Sequence, residues 1–245
     1  LKANFHAHSK AWGGLTNGKQ SDSEIVKFYH DSLHYDIACI SNYESIDQYL
    51  PVNDPRFIPV YEHGLNPFKT HQLVIGASRP DYFEFAIGQS QDNKQYMIER
   101  LREQAPFVTI NHPTMRGSYT ASELRHLSGY QLMEVFNNPR DAQGLWDAAL
   151  SAGKLSWALG NDDTHDITKE YEVGRTWTMV HATSDSAASV YAALKKGNAY
   201  VVKGRGAVND HYPLAINVVH DTVCIRMDAP ADEIRLIGQE GQTRK

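Results

Sequence analysis

Apolar and polar positions alternate in short bursts along the first 160 residues, and turn chemistry or helical spacing separates the bursts. Residues 2–8, 35–41, 57–61, 71–76, 107–110, 132–136 and 155–159 are apolar runs of strand length. Ser21-Asp22-Ser23-Glu24 has capping-box spacing and predicts a helix to about Leu33. Thr120-Ala121-Ser122-Glu123 repeats the signal. Residues 91–104 place Met97, Ile98 and Leu101 on one face of a polar helix. Another helix is predicted over about 141–152, with Gly153 as its C-terminal cap. Ala11 to Gly18 reads as a loop. Strands alternating with helices predict about seven parallel β/α units, and hence a closed or nearly closed barrel. Two places depart from this: His71 opens its run instead of ending it, and residues 35–65 show no obvious helix. Residues 173–203 keep an α/β texture, with Ser184 capping a helix through Leu194 and a short strand at 200–202. Near Gly204 the texture changes. Residues 214–219, 223–227 and 233–237 read as alternating strands of a small antiparallel unit. The expected organisation is therefore α/β: a barrel domain over 1–203 and the start of a β-rich appendage, expected to be incomplete, over 204–245.

Composition narrows the partners. The 245 residues carry 24 Lys and Arg against 29 Asp and Glu, a formal charge of -5, which argues against binding a nucleic-acid backbone. No apolar run reaches the length of a membrane span. Cys39 and Cys224 are the only cysteines, so a disulfide framework and cysteine-rich zinc sites are excluded. The chain opens at Leu1, just before a core strand, and an upstream signal segment removed on export is an expectation of that opening.

The candidate chemistry lies near the ends of the strand-like runs. His6 and His8 are two residues apart on a strand, so both imidazoles face one side and can reach one ion. Asp163 and His165 repeat that spacing after the seventh run. Glu62, His71 and His112 flank three middle runs. A solitary histidine after a strand is most often solvated, and Asp163 alone could order a turn. Together these residues make four strand ends carry ligand types at once. Imidazole with carboxylate suits Zn, Mn or Fe rather than Ca or Mg.

In this order the motifs resemble the PHP (polymerase and histidinol phosphatase) family of metal-dependent hydrolases. The matching pieces are His6-Ala7-His8, Val60-Tyr61-Glu62, the run from His71 to Gly76, Asn111-His112-Pro113, Glu134-Val135-Phe136-Asn137, and Asp163-Thr164-His165. The resemblance covers roughly residues 2–203. It implies a distorted seven-stranded (β/α)7 barrel with a metal cluster at the strand ends, and hydrolysis, most often of phosphoesters. It further implies one metal site at His6, His8, Glu62 and Asp163, and a second at Glu62, His71 and His112. A third site would keep only His165, because the loop Ser9 to Gly14 and the stretch Ser41-Asn42-Tyr43 lack the family's ligands there.

The expected cofactor is thus a pair of divalent ions sharing Glu62, and the expected reaction is hydrolysis of a small phosphorylated substrate. His165, with Glu62 and Asp163, is a candidate catalytic residue, able to protonate a leaving group or contact substrate. Lys10 and Tyr43 are candidates for the charge and hydrogen bonding a third ion would supply, with a solvated loop lysine and a packed rim tyrosine as the alternatives. Arg116 either steadies phosphate or stands in solvent, and Arg175 is a weaker candidate of the same kind. Asn137 and Asn138 either support the site or form a turn before Pro139. Hydrolysis of a non-phosphate ester or amide on the same cluster, and a non-catalytic metal- or ligand-binding barrel, are the competing readings.

Overall fold

The fold follows from the chemistry of each run and from the length of the connections between runs. The computed structural model describes residues 1–16, 18–85, 87–204 and 212–244. In chain order its main elements are β1 (Lys2–Asn4), α1 (Asp22–Asp31), β2 (Ile37–Ala38), β3 (Val60–His63), β4 (Gln72–Ile75), α2 (Gln91–Arg102), β5 (Phe107–Ile110), α3 (Ala121–Leu124), β6 (Leu132–Asn137), β7 (Arg140–Asp141), α4 (Gln143–Ser151), β8 (Trp157–Asn161), β9 (Thr176–Val180), α5 (Ala187–Lys195), β10 (Ala199–Lys203), β11 (Pro213–Val219), β12 (Thr222–Met227), β13 (Leu236–Ile237) and β14 (Thr243–Arg244).

The helices begin where side chains satisfy their first N–H groups. Ser21 and Glu24 form a reciprocal capping box at α1, and Thr120 and Glu123 form one at α3. α1 then buries Ile25 and Tyr29, one turn apart. α2 buries Met97, Ile98 and Leu101, and also Lys94, whose ammonium donates to Ser118 O and Glu123 Oε1, both at 2.6 Å. α4 ends as predicted at Gly153, whose φ of 77° suits a residue without Cβ. Ser186, not Ser184, caps α5.

Two sheets carry strands β1 to β10, in the orders β10-β9-β1-β2 and β3-β4-β5-β6-β7, with β8 also pairing to β6. The expectation of uniformly parallel units is corrected here. β3–β4 and β4–β5 are antiparallel, while β5–β6 and β6–β8 are parallel. The chain between β3 and β4 contains no helix, and a short connection can only return the strand antiparallel. β9, not anticipated as a strand, pairs antiparallel with both β1 and β10. Isolated bridges join Tyr43 to Glu62 and Ala7 to Thr164, so the rims of the two sheets touch at two places.

One apolar cluster draws on eight of these strands, through Ala3, Ile37, Val60, Leu73, Phe107, Leu132, Leu159 and Val180. Leu73 is fully buried, and truncating such a residue to Ala removes roughly 2–5 kcal/mol of stability. The period of two then sets the site. Val60 and Glu62, Leu132 and Glu134, and Leu159 and Asn161 each share a strand face. Each pair places its apolar member in this core and its polar member two residues further along. In antiparallel β4 the order reverses, and His71 precedes Leu73. That is why this histidine opens its strand and still reaches the same end as the others.

The appendage keeps its hairpin, β11 with β12, but the third expected strand shrinks to Leu236–Ile237, paired with β14. The segment 205–211, where the appendage begins, lies outside the described residues. No helix among the described residues is long and apolar enough to cross a membrane.

Candidate metal centre

The strand ends bring His6, His8, Glu62, His71, His112, Asp163 and His165 into one buried cluster. Glu62 is its hub. Its Oε1 lies 2.9 Å from His71 Nδ1, 3.0 Å from His112 Nε2 and 3.4 Å from His6 Nε2, and its Oε2 lies 3.1 Å from His8 Nε2. Asn111 Nδ2 also donates to Oε1, at 3.0 Å. Asp163 Oδ1 lies 3.2 Å from His6 Nε2 and 3.4 Å from His8 Nε2. His165 donates from Nδ1 to the Asp163 carbonyl at 2.9 Å and stacks on His8, with ring centroids 4.4 Å apart.

A carboxylate behind the cluster orients it. Glu134, fully buried, accepts from His6 Nδ1 at 2.7 Å, from the His112 backbone N–H at 2.9 Å, and from Asn161 and Asn137 Nδ2 at 2.9 and 3.0 Å. The contact to His6 fixes its tautomer and leaves Nε2 aimed at Glu62 and Asp163. That is the arrangement metal-binding histidines commonly show. Neighbouring amides knit β1 to β8. Asn161 Oδ1 accepts from Phe5 N and Asn4 Oδ1 from Asp162 N. Asp162 accepts from the backbone N–H groups of Gly174, Arg175 and Thr176 and from Tyr29 OH, which holds the adjacent Asp163 in place. His112 and Asp163 both sit at positive φ, 23° and 53°, uncommon for residues with a side chain. Such strain concentrates at functional sites.

The electrostatics follow from packing carboxylates against imidazoles without water. Burial alone would lower the pKa of His6, but the charges of Asp163, Glu134 and Glu62 outweigh it and hold His6 well above the ordinary value. His8 is raised in the same way, against burial, by Asp163 and Glu62. Burial works against ionisation of Glu62 too, and His71 and His6 overcome it, so Glu62 stays well below the usual carboxylate range. Asp163 is lowered likewise, by His6 and His8. Burial takes His71 down and His165 down to about 4, so both are neutral near pH 7 with a lone pair to give.

The donor set fits divalent ions. Two groups, His6–Glu62–His112 and His6–His8–Asp163, bring their ligand atoms within 4.8 Å of one another. His8 Nδ1, His71 Nε2, His112 Nδ1 and His165 Nε2 are buried with no hydrogen-bond partner among the described residues. In His8, His71 and His112 the nitrogen that faces Glu62 is the other one of the ring, so the fit to an ion rests on those facing nitrogens and the two carboxylates among them.

The other expected site residues divide. Tyr43 is buried at the cluster, its ring 4.8 Å from His8 and 5.3 Å from His71, and burial with Glu62 nearby drives its hydroxyl far above the ordinary pKa. Lys10 is exposed, and its ammonium makes no hydrogen bond or ion pair among the described residues. Arg116 is also exposed and donates to Pro67 O at 3.1 Å. Arg175 pairs with Glu170. Asn138 donates to Tyr171 O. Sequence reasoning passed over Lys69, half-buried, whose ammonium lies 5.7 Å from the Tyr43 ring centroid. Asn66 clamps the backbone on either side of it by accepting from Phe68 N and Thr70 N. It passed over Glu134 as a site residue as well.

No family model matches the chain. No curated protein matches it either. Among solved structures, the fold is similar to that of a two-domain protein from Bacteroides vulgatus described as containing a predicted PHP-like metal-dependent phosphoesterase. The TM-score is 0.56 at 16% identity, over 83% of this chain and 64% of that one. The chain therefore spans less than two thirds of that protein, and the likeness is one of fold.

Proposed function

We propose that the chain is a metal-dependent hydrolase of phosphoesters. In this reading it holds two divalent ions, one at His6, His8, Glu62 and Asp163 and one at Glu62, His71 and His112. The observation that carries the reading is Glu62, a single buried carboxylate whose oxygens lie within 3.4 Å of four imidazoles from three separate parts of the chain. Bound there, the ions would supply a Lewis acid and a water acidic enough to act as nucleophile near neutral pH. Glu134 holds His6 in its ligating tautomer. Asp162 and Asn4 fix the turn that presents Asp163. Tyr43 shields one face of His8, and Lys69 brings a positive charge to the His71 side, where a phosphoryl oxygen needs one. His165, neutral through burial, stacks on His8 beside Asp163 and lines the adjoining cavity.

The same reading takes β1, β2, β3, β4, β5, β6 and β8 as a distorted barrel. The two bridges between the sheets and the core shared by these strands support it. The fold likeness to the Bacteroides protein and its description support the choice of phosphoester. The test is a hydrolysis panel on protein reconstituted separately with Zn, Mn and Fe. The panel covers aryl phosphates, carboxylic esters and amides. Phosphate release dependent on added metal is the expected result. Turnover confined to esters or amides, or metal binding with no turnover in any class, would replace the reading.

A further inference from the structure

Beside the cluster, on its Asp163 and His165 side, opens a cavity of about 560 Å³. That is the size of a small-molecule site. Its walls include Lys19, Arg140, Lys169 and Tyr171 together with Asp163 and His165.

The charges on these walls are unevenly paired. The Asp162 carboxylate is saturated by three backbone N–H groups and a hydroxyl. Asp163 faces His6 and His8. Glu172 accepts from the backbone N–H groups of His165 and Asp166 and pairs with Lys169 at 3.0 Å. Every acidic group thus has its partners within the protein, and Lys169 is neutralised. Lys19 and Arg140 remain. Among the described residues neither pairs with a carboxylate, and the side-chain bond found for either is Arg140 Nη1 donating to Asn137 Oδ1 at 3.2 Å.

The backbone that carries each cation is fixed relative to the cluster, with the Lys19 side chain exposed and that of Arg140 half-buried. Lys19 N donates to His165 O at 2.9 Å. The preceding Gly18 packs so closely that a Cβ there would lie 2.1 Å from Ser9 O. Arg140 pairs with Asn137 across the β6–β7 hairpin, and Asn137 bonds Glu134, which bonds His6. The exposed ring of Tyr171, with Pro139 and Met115, adds apolar surface to the same walls.

We propose that this cavity receives the leaving-group half of the substrate, and that this half carries a negative charge of its own, read by Lys19 and Arg140. The proposal rests on the phosphoester reading. The substrate class is then a phosphomonoester of an anionic alcohol or phenol, with its two anionic groups separated by a short apolar body. Hydrolysis breaks the bond from phosphorus to the leaving oxygen. Water oxygen forms the new bond to phosphorus, and the leaving oxygen departs with a proton as a hydroxyl whose anionic end stays on Lys19 and Arg140.

Non-hydrolysable probes test the pocket without requiring turnover. Metal-loaded protein is titrated calorimetrically with phenylphosphonate and with 3- and 4-phosphonobenzoate, which add one carboxylate. We expect at least one phosphonobenzoate to bind about tenfold more tightly than phenylphosphonate, the scale of one charge-assisted hydrogen bond. Lys19→Met and Arg140→Met should each remove most of that preference and leave phenylphosphonate affinity unchanged, and Arg140→Lys should restore part of it. Equal affinities in the wild-type protein, no binding of any probe, or a preference that survives both substitutions would overturn the proposal. A parallel assay compares hydrolysis of phenyl phosphate and 4-carboxyphenyl phosphate. If neither is hydrolysed while the binding preference holds, the phosphoester reading fails and the anion pocket stands.

Discussion

Replacing Glu134 with Gln tests whether the cluster depends on the carboxylate behind it. Oε1 accepts from His6 Nδ1 and Asn161 Nδ2, and Oε2 accepts from the His112 N–H and Asn137 Nδ2. Glutamine keeps one acceptor oxygen and puts an amino group where the other was. Whichever way it turns, two donors then face a third. Two hydrogen bonds to a charged acceptor are lost, each worth roughly 1.5–3 kcal/mol, so the metal-free protein should lose about 3–6 kcal/mol. At about 2–4 °C per kcal/mol for a chain of this size, melting should fall by at least about 6 °C. Orientation of His6 is lost as well. That histidine belongs to both candidate ligand groups, so metal affinity should fall about 10–100-fold, the usual effect of removing such a support. Thermal melting of the metal-free protein reads the first effect, and competition with a chelating dye reads the second. Glu134→Asp, which keeps the charge but shortens the reach, should fall between the two. Melting unchanged within about 2 °C, with affinity within about twofold of wild type, would refute the reasoning about Glu134.

Three further outcomes are expected. Glu62→Gln should abolish hydrolysis and loosen both ions, and two ions retained at full occupancy by elemental analysis after dialysis would contradict the shared ligand. Lys69→Met should weaken competitive inhibition by inorganic phosphate about 3–10-fold with metal content unchanged, whereas Lys10→Met should do less because Lys10 is exposed; the reverse ranking in the same inhibition assay would return the role to Lys10. Burial pushes the Glu44 carboxyl from 4.5 up to about 7, so the folded state holds this proton more tightly than the unfolded state does. Its stabilising contribution is therefore full below pH 4.5 and is lost as pH rises to 7. Glu44→Gln escapes that loss. It should melt above wild type at pH 8, by an amount equivalent to at most about 3 kcal/mol, and lose the advantage by pH 5. A gap that does not change with pH would show that Glu44 does not titrate in this way.

Much of this was legible in the spacing of residues. The i, i+2 pair His6/His8 flanks the bridged Ala7 and turns both rings to Glu62, as the strand period predicts; Asp163, at a φ of 53° beyond β8, is turned to the cluster by its loop instead. The capping boxes at Ser21 and Thr120 work through bonds three residues long, so local sequence suffices to place them. Strand direction was legible only in part. The short gap between the runs 57–61 and 71–76 leaves no room for a parallel crossover, but the alternating texture around it pointed to parallel units, and β9 gave no strand signal distinct from its α/β surroundings. Glu134 could be placed on a strand, but its role depends on His6, His112 and Asn161, which lie far from it in sequence. Lys10 and Lys69 look alike as loop lysines. What separates them is a turn built on Asn66, whose amide holds the chain on both sides of Lys69 and carries its ammonium to the Tyr43 ring.

Anomalous diffraction from crystals grown with Zn or Mn tests the central claim most directly. The account predicts two peaks, both within coordination distance of Glu62, one shared with His6, His8 and Asp163 and the other with His71 and His112. Absence of any peak in the cluster, or a third ion held by His165 beside Tyr43, would contradict it.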